Sequence, residues 1–519
     1  MSAPSKPSSD PAPIHHRVAV APRVFWPSAI VVTAFTLYAI IFRDLAARQA
    51  KAIQDNVIGS FGWYYIVIVT LFVVFAIWLG LGRFGDINLG EDGEKAEYSM
   101  GAWLSMLFAA GMGIGLVFWG VAEPLFHYDE PRPGVGSTSA QRADAAMVQT
   151  FLHWGIHPWA IYVVVGLAIA YSIHRKGRPV SIRWSLESLV GDRIRGWRGD
   201  VIDIVAVIGT VFGVATSLGL GILQISAGLN YEGWLHDPGK GLQVVLIIGV
   251  TALATISVVT GVDKGIKLLS QANMGVAGLL LLYVLVAGPT LFIVNDLVQN
   301  IGTYIQQLPK ISLYTGATEG ADGTAWTQRW TVFYWGWWIS WAPFVGVFIA
   351  RISRGRTVRE FVAGVLLVPT LLTFVWFAVF GGAGLHREML GGGGLIGPDG
   401  PDRDSALFAM LDTLPGGSLT AGLAMLVIVL FFITSADSGA LVVNMLSSGG
   451  NPEPPKWSRA FWTAMQGAVA IALLVASGTG TAALTTLQTV AILIALPFSV
   501  VMLAMCWALV RTFKAERGG

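Results

Sequence analysis

Apolar stretches of roughly bilayer length recur along the whole chain, separated by short polar runs. About 20 apolar residues in a helix cross the hydrocarbon of a membrane. Twelve stretches meet that pattern: 24–42, 61–82, 101–126, 146–172, 201–229, 241–261, 268–295, 330–350, 360–381, 418–446, 459–477 and 482–510. They predict an all-α integral membrane protein with twelve transmembrane helices. The basic residues between them set an orientation. With both termini on one side, most of the 33 Lys and Arg fall on that side, above all in Arg175–Arg198 and at Arg351, Arg354, Arg356 and Arg359. Positive loops stay in the cytoplasm. The expectation is a multi-pass protein of the cell membrane with a cytoplasmic tail at 1–23 and a short one at 511–519. Two external connections are long. Residues 296–329 carry IGTYIQQLPKI, an amphipathic helix for the outer surface; 382–417 form a glycine-rich loop without clear structure.

Composition narrows the class. Charged residues are 12% of the chain and hydrophobic ones 54%, whereas soluble domains carry about 25% charge. A net charge of +2 provides no field for nucleic acid. The single cysteine, Cys506, allows no internal disulfide and no multi-cysteine metal site. The polar, proline-rich start does not read as a removable signal peptide. No soluble domain and no GxxxxGK[ST] motif are present to couple nucleotide hydrolysis, and no cofactor is expected.

Candidate chemistry concentrates in Trp330–Trp341, WTVFYWGWWISW. On a helix, Tyr334, Trp337, Trp338 and Trp341 fall at i, i+3, i+4 and i+7 and share a face. Two readings fit: a headgroup belt, or a wall for a quaternary ammonium cation, each ring giving roughly 0.5–2 kcal/mol. The run extends about two turns inward, further than a belt needs. Span three, GAWLSMLFAAGMGIGLVFWGVAEPLFHY, has glycines at 111, 113 and 115. Gly111 and Gly115 could pack another helix. Gly113 lies about 200° around from Gly111, which points instead to local unwinding, tolerable in a membrane where the freed backbone lines a site. Span four, FLHWGIHPWAIY, presents Trp154, Trp159 and Tyr162 together and breaks a backbone bond at Pro158. His153 and His157 have metal-ligand spacing, but no acidic residue or third ligand is near them in sequence. In span ten, Thr434, Ser435 and Ser438 either bond back to their own helix or offer oxygens to a hard cation. Asp437 and, in span three, Glu123 are intramembrane acids. Glu123 reads as a gate or proton site, and Asp437 as either functional or structural.

GMGIGLVFWGVAEPL, HWGIHPWAIY, FYWGWWISWAPFVGVFIARISRGR and TSADSG stand in one chain in this order. Together they resemble the betaine/choline/carnitine transporter family, and most closely its sodium-coupled glycine-betaine members, from about residue 20 onward. The resemblance implies inverted five-helix repeats of the leucine-transporter type, spans 3–7 within 101–295 and spans 8–12 within 330–510. Two additional helices precede them in 24–100. It also implies a homotrimer and a quaternary ammonium substrate held mid-membrane. By matching position, Trp154, Trp159, Tyr162 and Trp338 resemble the box around the trimethylammonium group. Trp337, Trp341 and Phe118 resemble rings along the cytoplasmic path, and Gly111, Met112, Gly113 and Gly115 border the substrate. Sodium, the coupling ion, would be held by carbonyls of Ala109, Met112 and Phe431 with the hydroxyls of Thr434 and Ser435. A second sodium would use Thr210 and Phe344, but Val214 lacks the hydroxyl that site requires. Choline- and carnitine-type relatives often have Asp where this chain has Gly115, which favours a zwitterion here. Osmosensing members carry a long charged C-terminal helix; this chain has only Arg511, Lys514, Glu516 and Arg517 beyond the last span, so steep osmotic activation is not expected. The rival readings are proton-coupled choline uptake and sodium-independent carnitine exchange in the same family. An ion channel or an intramembrane enzyme is the rival from outside it.

Overall fold

A computed structural model describes residues 20–111, 113–236, 238–260, 263–476 and 481–518. It opens with α1 (Pro22–Ile41) and a long α2 (Arg43–Leu81) that runs through the connection expected at 43–60. The stretch expected as a single third span is two helices, α3 (Met100–Gly111) and α4 (Ile114–Asp129). The fourth is divided as well, into α5 (Ser139–Trp154) and α6 (Ile156–Ala170). A basic connection with the one-turn α7 (Glu187–Val190) leads to α8 (Trp197–Tyr231), α9 (Lys240–Thr260) and α10 (Asp263–Ala287). Helices α11 (Thr290–Ser312) and α12 (Gly320–Thr327) fill the next connection, and α13 (Phe333–Arg351) carries the tryptophan run. The chain continues through α14 (Val358–Leu390), α15 (Ala406–Asp412), α16 (Gly417–Ser447), α17 (Lys456–Ala476) and α18 (Thr481–Arg517).

Among the described residues, 11 helical runs are long and apolar enough to cross a membrane. The expected third span is not one of them. Its two halves have 12 and 16 residues, each short of the roughly 20 that a bilayer needs. Apolar side chains such as Val245, Ile248 and Leu253 on α9 and Leu279, Leu282 and Val286 on α10 are exposed, as lipid-facing positions are.

One expectation needs correction. Residues 382–417 are not a structureless loop. Helix α14 continues to Leu390, and a two-residue antiparallel pair, β1 (Ile396–Gly397) and β2 (Gly400–Pro401), precedes α15. Gly392, Gly393 and Gly394 have φ of +97°, +72° and +102°. Their sequence encodes a left-handed turn that glycine alone makes cheaply. The short C-terminal tail is helical too, because α18 runs on to Arg517. Its Glu516 accepts hydrogen bonds from Tyr171 and Arg175.

The basic connections meet on one side of the bundle. Arg175 pairs with Asp92 at 2.7 Å, Arg354 with Glu94 at 2.6 Å, and Arg517 with Asp86 at 3.6 Å. The turn before α14 is locked to the α2–α3 connection by Leu89 N–H to Arg356 O, 2.7 Å, and Gly355 N–H to Leu89 O, 2.9 Å. Gly355 has φ +74°, and a Cβ there would lie 2.4 Å from Lys95 O. Thr357 and Glu360 then form the capping box that starts α14. On the core side, α13 packs on α6 and α18, α16 on α8, and α14 on α4. These contacts bring both helix breaks against the tryptophan run.

Candidate functional site: an aromatic cavity at two helix breaks

The first break centres on Gly113, whose backbone is extended and whose α4 N-terminus has no side-chain cap. The second centres on Gly155, also uncapped, between α5 and α6. Pro158 then sits in the first turn of α6, where its missing N–H costs no hydrogen bond. The break is therefore made at Gly155, and Pro158 starts the new helix. A Cβ at 155 would lie 2.5 Å from Phe151 O and 2.8 Å from the Phe374 ring, so the close approach demands glycine. Uncapped N-termini leave N–H groups and the positive end of the helix dipole free for an anionic group.

Residues flanking both breaks line one small cavity of about 30 Å³. Trp154, Trp159, Tyr162 and Trp338 line it together, with Trp337 and Trp341 beside them. Gly113, Gly115 and Leu116 supply the wall from the first break. Trp154 meets Trp338 edge to face at 4.8 Å, Trp337 stacks on Trp338 at 4.6 Å, and Trp159 meets Tyr162 at 5.4 Å. Among the described residues, the indole N–H groups of Trp337 and Trp341 are buried without an acceptor. Gly115 is where the rings need room: a Cβ would lie 2.7 Å from Trp337 Cη2 and 3.0 Å from Trp154 Cη2. Trp376 Nε1 donates to Leu116 O at 2.8 Å and fixes the first turn after the break.

Other expected residues lie elsewhere. Tyr334 shares the helix with the tryptophans but does not line the cavity; it sits behind Trp154, ring centroids 5.6 Å apart. Phe118 is buried against Trp119 at 5.1 Å, away from the cavity wall. Met112 lies outside the described residues, as do the side chains of Ala109 and Gly111, which belong to the last turn of α3. Ser217 and Thr373, which sequence reasoning did not single out, also line the cavity. Their signal was faint, because each shares its long apolar helix with other Ser or Thr residues that do not line the cavity.

A second, more polar cavity adjoins the first across Trp341, which lines both. It gathers Phe344, Phe431, Thr434, Ser435 and Ser438, and Asn273 joins them from α10. Asn273 is buried, and its Oδ1 has no donor among the described residues. Thr434 Oγ1 donates to Leu430 O at 2.9 Å, so its hydroxyl bonds back to the helix while its lone pairs stay free for a cation. Thr210 is not at this cavity. Its hydroxyl donates to Ala206 O at 2.8 Å, and Val214 is buried at Gly439 of α16.

Similarity to known proteins identifies the family. The profile of the betaine/carnitine/choline family transporters matches residues 23–518. The chain belongs to that family. An uncharacterized transporter of Mycobacterium tuberculosis is 50% identical over 500 residues, covering 96% of this chain and 83% of the relative. Glycine betaine transporter 1 of Vibrio parahaemolyticus is 44% identical over 499 residues, 95% of this chain and 94% of the relative. The glycine betaine transporter OpuD of Bacillus subtilis is 44% identical over 494 residues, again 95% and 94%.

In this betaine/carnitine/choline family transporter, the intramembrane acids have defined partners. Asp437 is paired with Arg459 of α17 at 2.9 Å. Glu123 is wholly buried and packed among side chains from three helices. His153 has an acidic neighbour after all: its Nδ1 lies 2.6 Å from Glu123 Oε1. Thirty positions separate the pair, which lies on two successive helices, so no local spacing announces it. Glu123, His127 and His153 bring their ligand atoms within 4.8 Å of one another, and hydrogen bonds link them. His157 stands apart, stacked on Trp335 at 5.1 Å.

Proposed function

We propose that the protein takes up a zwitterionic trimethylammonium solute, glycine betaine first, by sodium symport through alternating access. One observation carries this reading: Trp154, Trp159, Tyr162 and Trp338 line a single cavity where two helices are broken. Ring faces attract a cation that has no N–H to donate. The uncapped N-termini of α4 and α6, with the indole N–H groups of Trp337 and Trp341, suit the carboxylate at the other end. Gly115 leaves the wall without a fixed negative charge, in keeping with a solute that brings its own. The printed names of the Vibrio and Bacillus relatives point to the same substrate.

The adjoining cavity with Thr434, Ser435 and the Asn273 oxygen offers neutral oxygens to a hard cation. Val214, without a hydroxyl, favours one sodium over two. A charge crossing 100 mV supplies about 2.3 kcal/mol, between one and two decades of accumulation before the sodium gradient is counted. A neutral zwitterion gains nothing from the potential alone, so coupling is needed. In this reading the transporter sits in the cell membrane as a homotrimer, with both termini cytoplasmic.

Uptake of labelled glycine betaine into proteoliposomes tests it. Accumulation should require external Na⁺ and rise with an inside-negative potential. Uptake indifferent to Na⁺ but driven by a pH gradient would replace sodium with protons. Trp338→Leu should raise KM for trimethylammonium solutes by about tenfold or more at unchanged expression; an unchanged KM would remove the ring from the site.

A further inference from the structure

Behind the aromatic cavity lies a buried carboxylate that no part of the transport reading uses. Glu123 is fully buried on α4 and does not line the cavity. Its Oε2 accepts the indole N–H of Trp154 at 2.6 Å and the hydroxyl of Tyr334. Its Oε1 lies 2.6 Å from His153 Nδ1 and 3.3 Å from His127 Nε2. Gln149 Nε2 can only donate, and it lies 3.0 Å from His153 Nε2. Thr331 Oγ1 lies at the same 3.0 Å from Nε2, and an ionised Glu123, which can only accept, takes its bond from a protonated Nδ1. His153 in turn holds a second cavity ring, since its backbone carbonyl accepts Trp338 Nε1 at 2.9 Å.

The donors on this carboxylate come from three helices: His127 from α4, His153 and Trp154 from α5, and Tyr334 from α13. A carboxylate is the side chain suited to this place, because it accepts on every lone pair and donates on none. In an apolar interior such charge-assisted bonds are short and strong. Trp154 is the last residue before the break at Gly155, where no continuing helix restrains its side chain. The Glu123 bond sets its ring orientation, and the His153 carbonyl sets that of Trp338. Tyr334, out of the cavity, braces the rings from behind, 5.6 Å from Trp154 and 5.9 Å from Trp338.

We propose that Glu123 is a positioning residue that sets the angle between Trp154 and Trp338 and thereby the solute's required degree of N-methylation. The inference rests on the trimethylammonium reading above. Three methyl groups fill a box whose rings are held at fixed angles; a slack box accepts a smaller head nearly as well. The carboxylate acts inside the group of helices that makes the box, and a gate between moving parts would instead place its partners on separate bodies.

The test compares binding of glycine betaine and N,N-dimethylglycine by tryptophan fluorescence on purified, monodisperse protein. Wild type should prefer glycine betaine; absence of that preference would sink the trimethylammonium reading itself and this inference with it. Glu123→Gln keeps an oxygen for both Trp154 and Tyr334 but turns its NH2 toward the donors His153 and His127, and should lower the preference less than Glu123→Leu does. Glu123→Leu should weaken glycine betaine by about tenfold or more and collapse the preference toward equality. Tyr334→Phe tests the same contact if the leucine variant does not fold, because it removes one donor and leaves the cavity wall intact. It should weaken betaine a few-fold and lower the preference. Wild-type affinity and preference in Tyr334→Phe, or in folded Glu123→Leu, would overturn the proposal. A purely structural role would lower the yield of folded protein and leave the ratio between the two ligands unmoved.

Discussion

Position 115 has no room for a side chain. A Cβ there would lie under 3 Å from the Trp337 ring, and Trp154 closes in from the other side. Gly115→Ala should therefore push one ring off its rotamer and weaken glycine betaine binding by about tenfold. Gly115→Asp should weaken it further, while adding a charge that narrows the gap between betaine and choline; competition binding with the two ligands measures both. The glycine was legible in GMGIG, and so were the box residues, because rings and glycines at helical spacing announce themselves along one strand of sequence. Glu123 was legible only as an acid in an apolar helix. Its partners are set by how α4, α5 and α13 pack, and spacing along one helix cannot reveal a bond between three. Tyr334 shows the opposite error: its spacing places it with the tryptophans, but its hydroxyl is drawn back to Glu123 and away from the cavity.

At the scale of the element, the informative features are interruptions. Helices α3 and α4 are too short to span alone, and α5 gives way to α6 at a glycine that meets Phe151 and Phe374. Glycine alternation predicted the first interruption. The second was read at Pro158 but lies three residues earlier, because proline is well accommodated in a first turn. Hydroxyls on α16 are the counterpart across the bundle. Thr434→Val and Ser435→Ala should each raise the Na⁺ concentration for half-maximal uptake several-fold, with little change in solute affinity at saturating Na⁺. Sodium titrations of proteoliposome uptake read this directly, and an unchanged sodium dependence in the double variant would move the ion site elsewhere. The turn after α14 was missed because it is polar: an apolar-run criterion passes over it, although glycine dihedrals order it.

For the whole molecule, hydropathy located most of the membrane-crossing helices, because bilayer thickness imposes a length that the chain must meet. It could not show which faces meet. The basic connections converge through Arg175, Arg354 and Arg517 with Asp92, Glu94 and Asp86, and α13 presents one ring, Trp341, to both cavities. That shared ring has a consequence for energy conversion. The proposed symport must forbid each cargo from crossing alone, and one indole, Trp341, lines both the aromatic cavity and the more polar one. Trp341→Ala should therefore do more than weaken binding. It should open a slip path, so that sodium leaks without solute and the accumulation ratio falls faster than the initial rate of uptake. Sodium flux into solute-free proteoliposomes would register that leak, and a tight membrane in the variant would assign the insulation to other side chains.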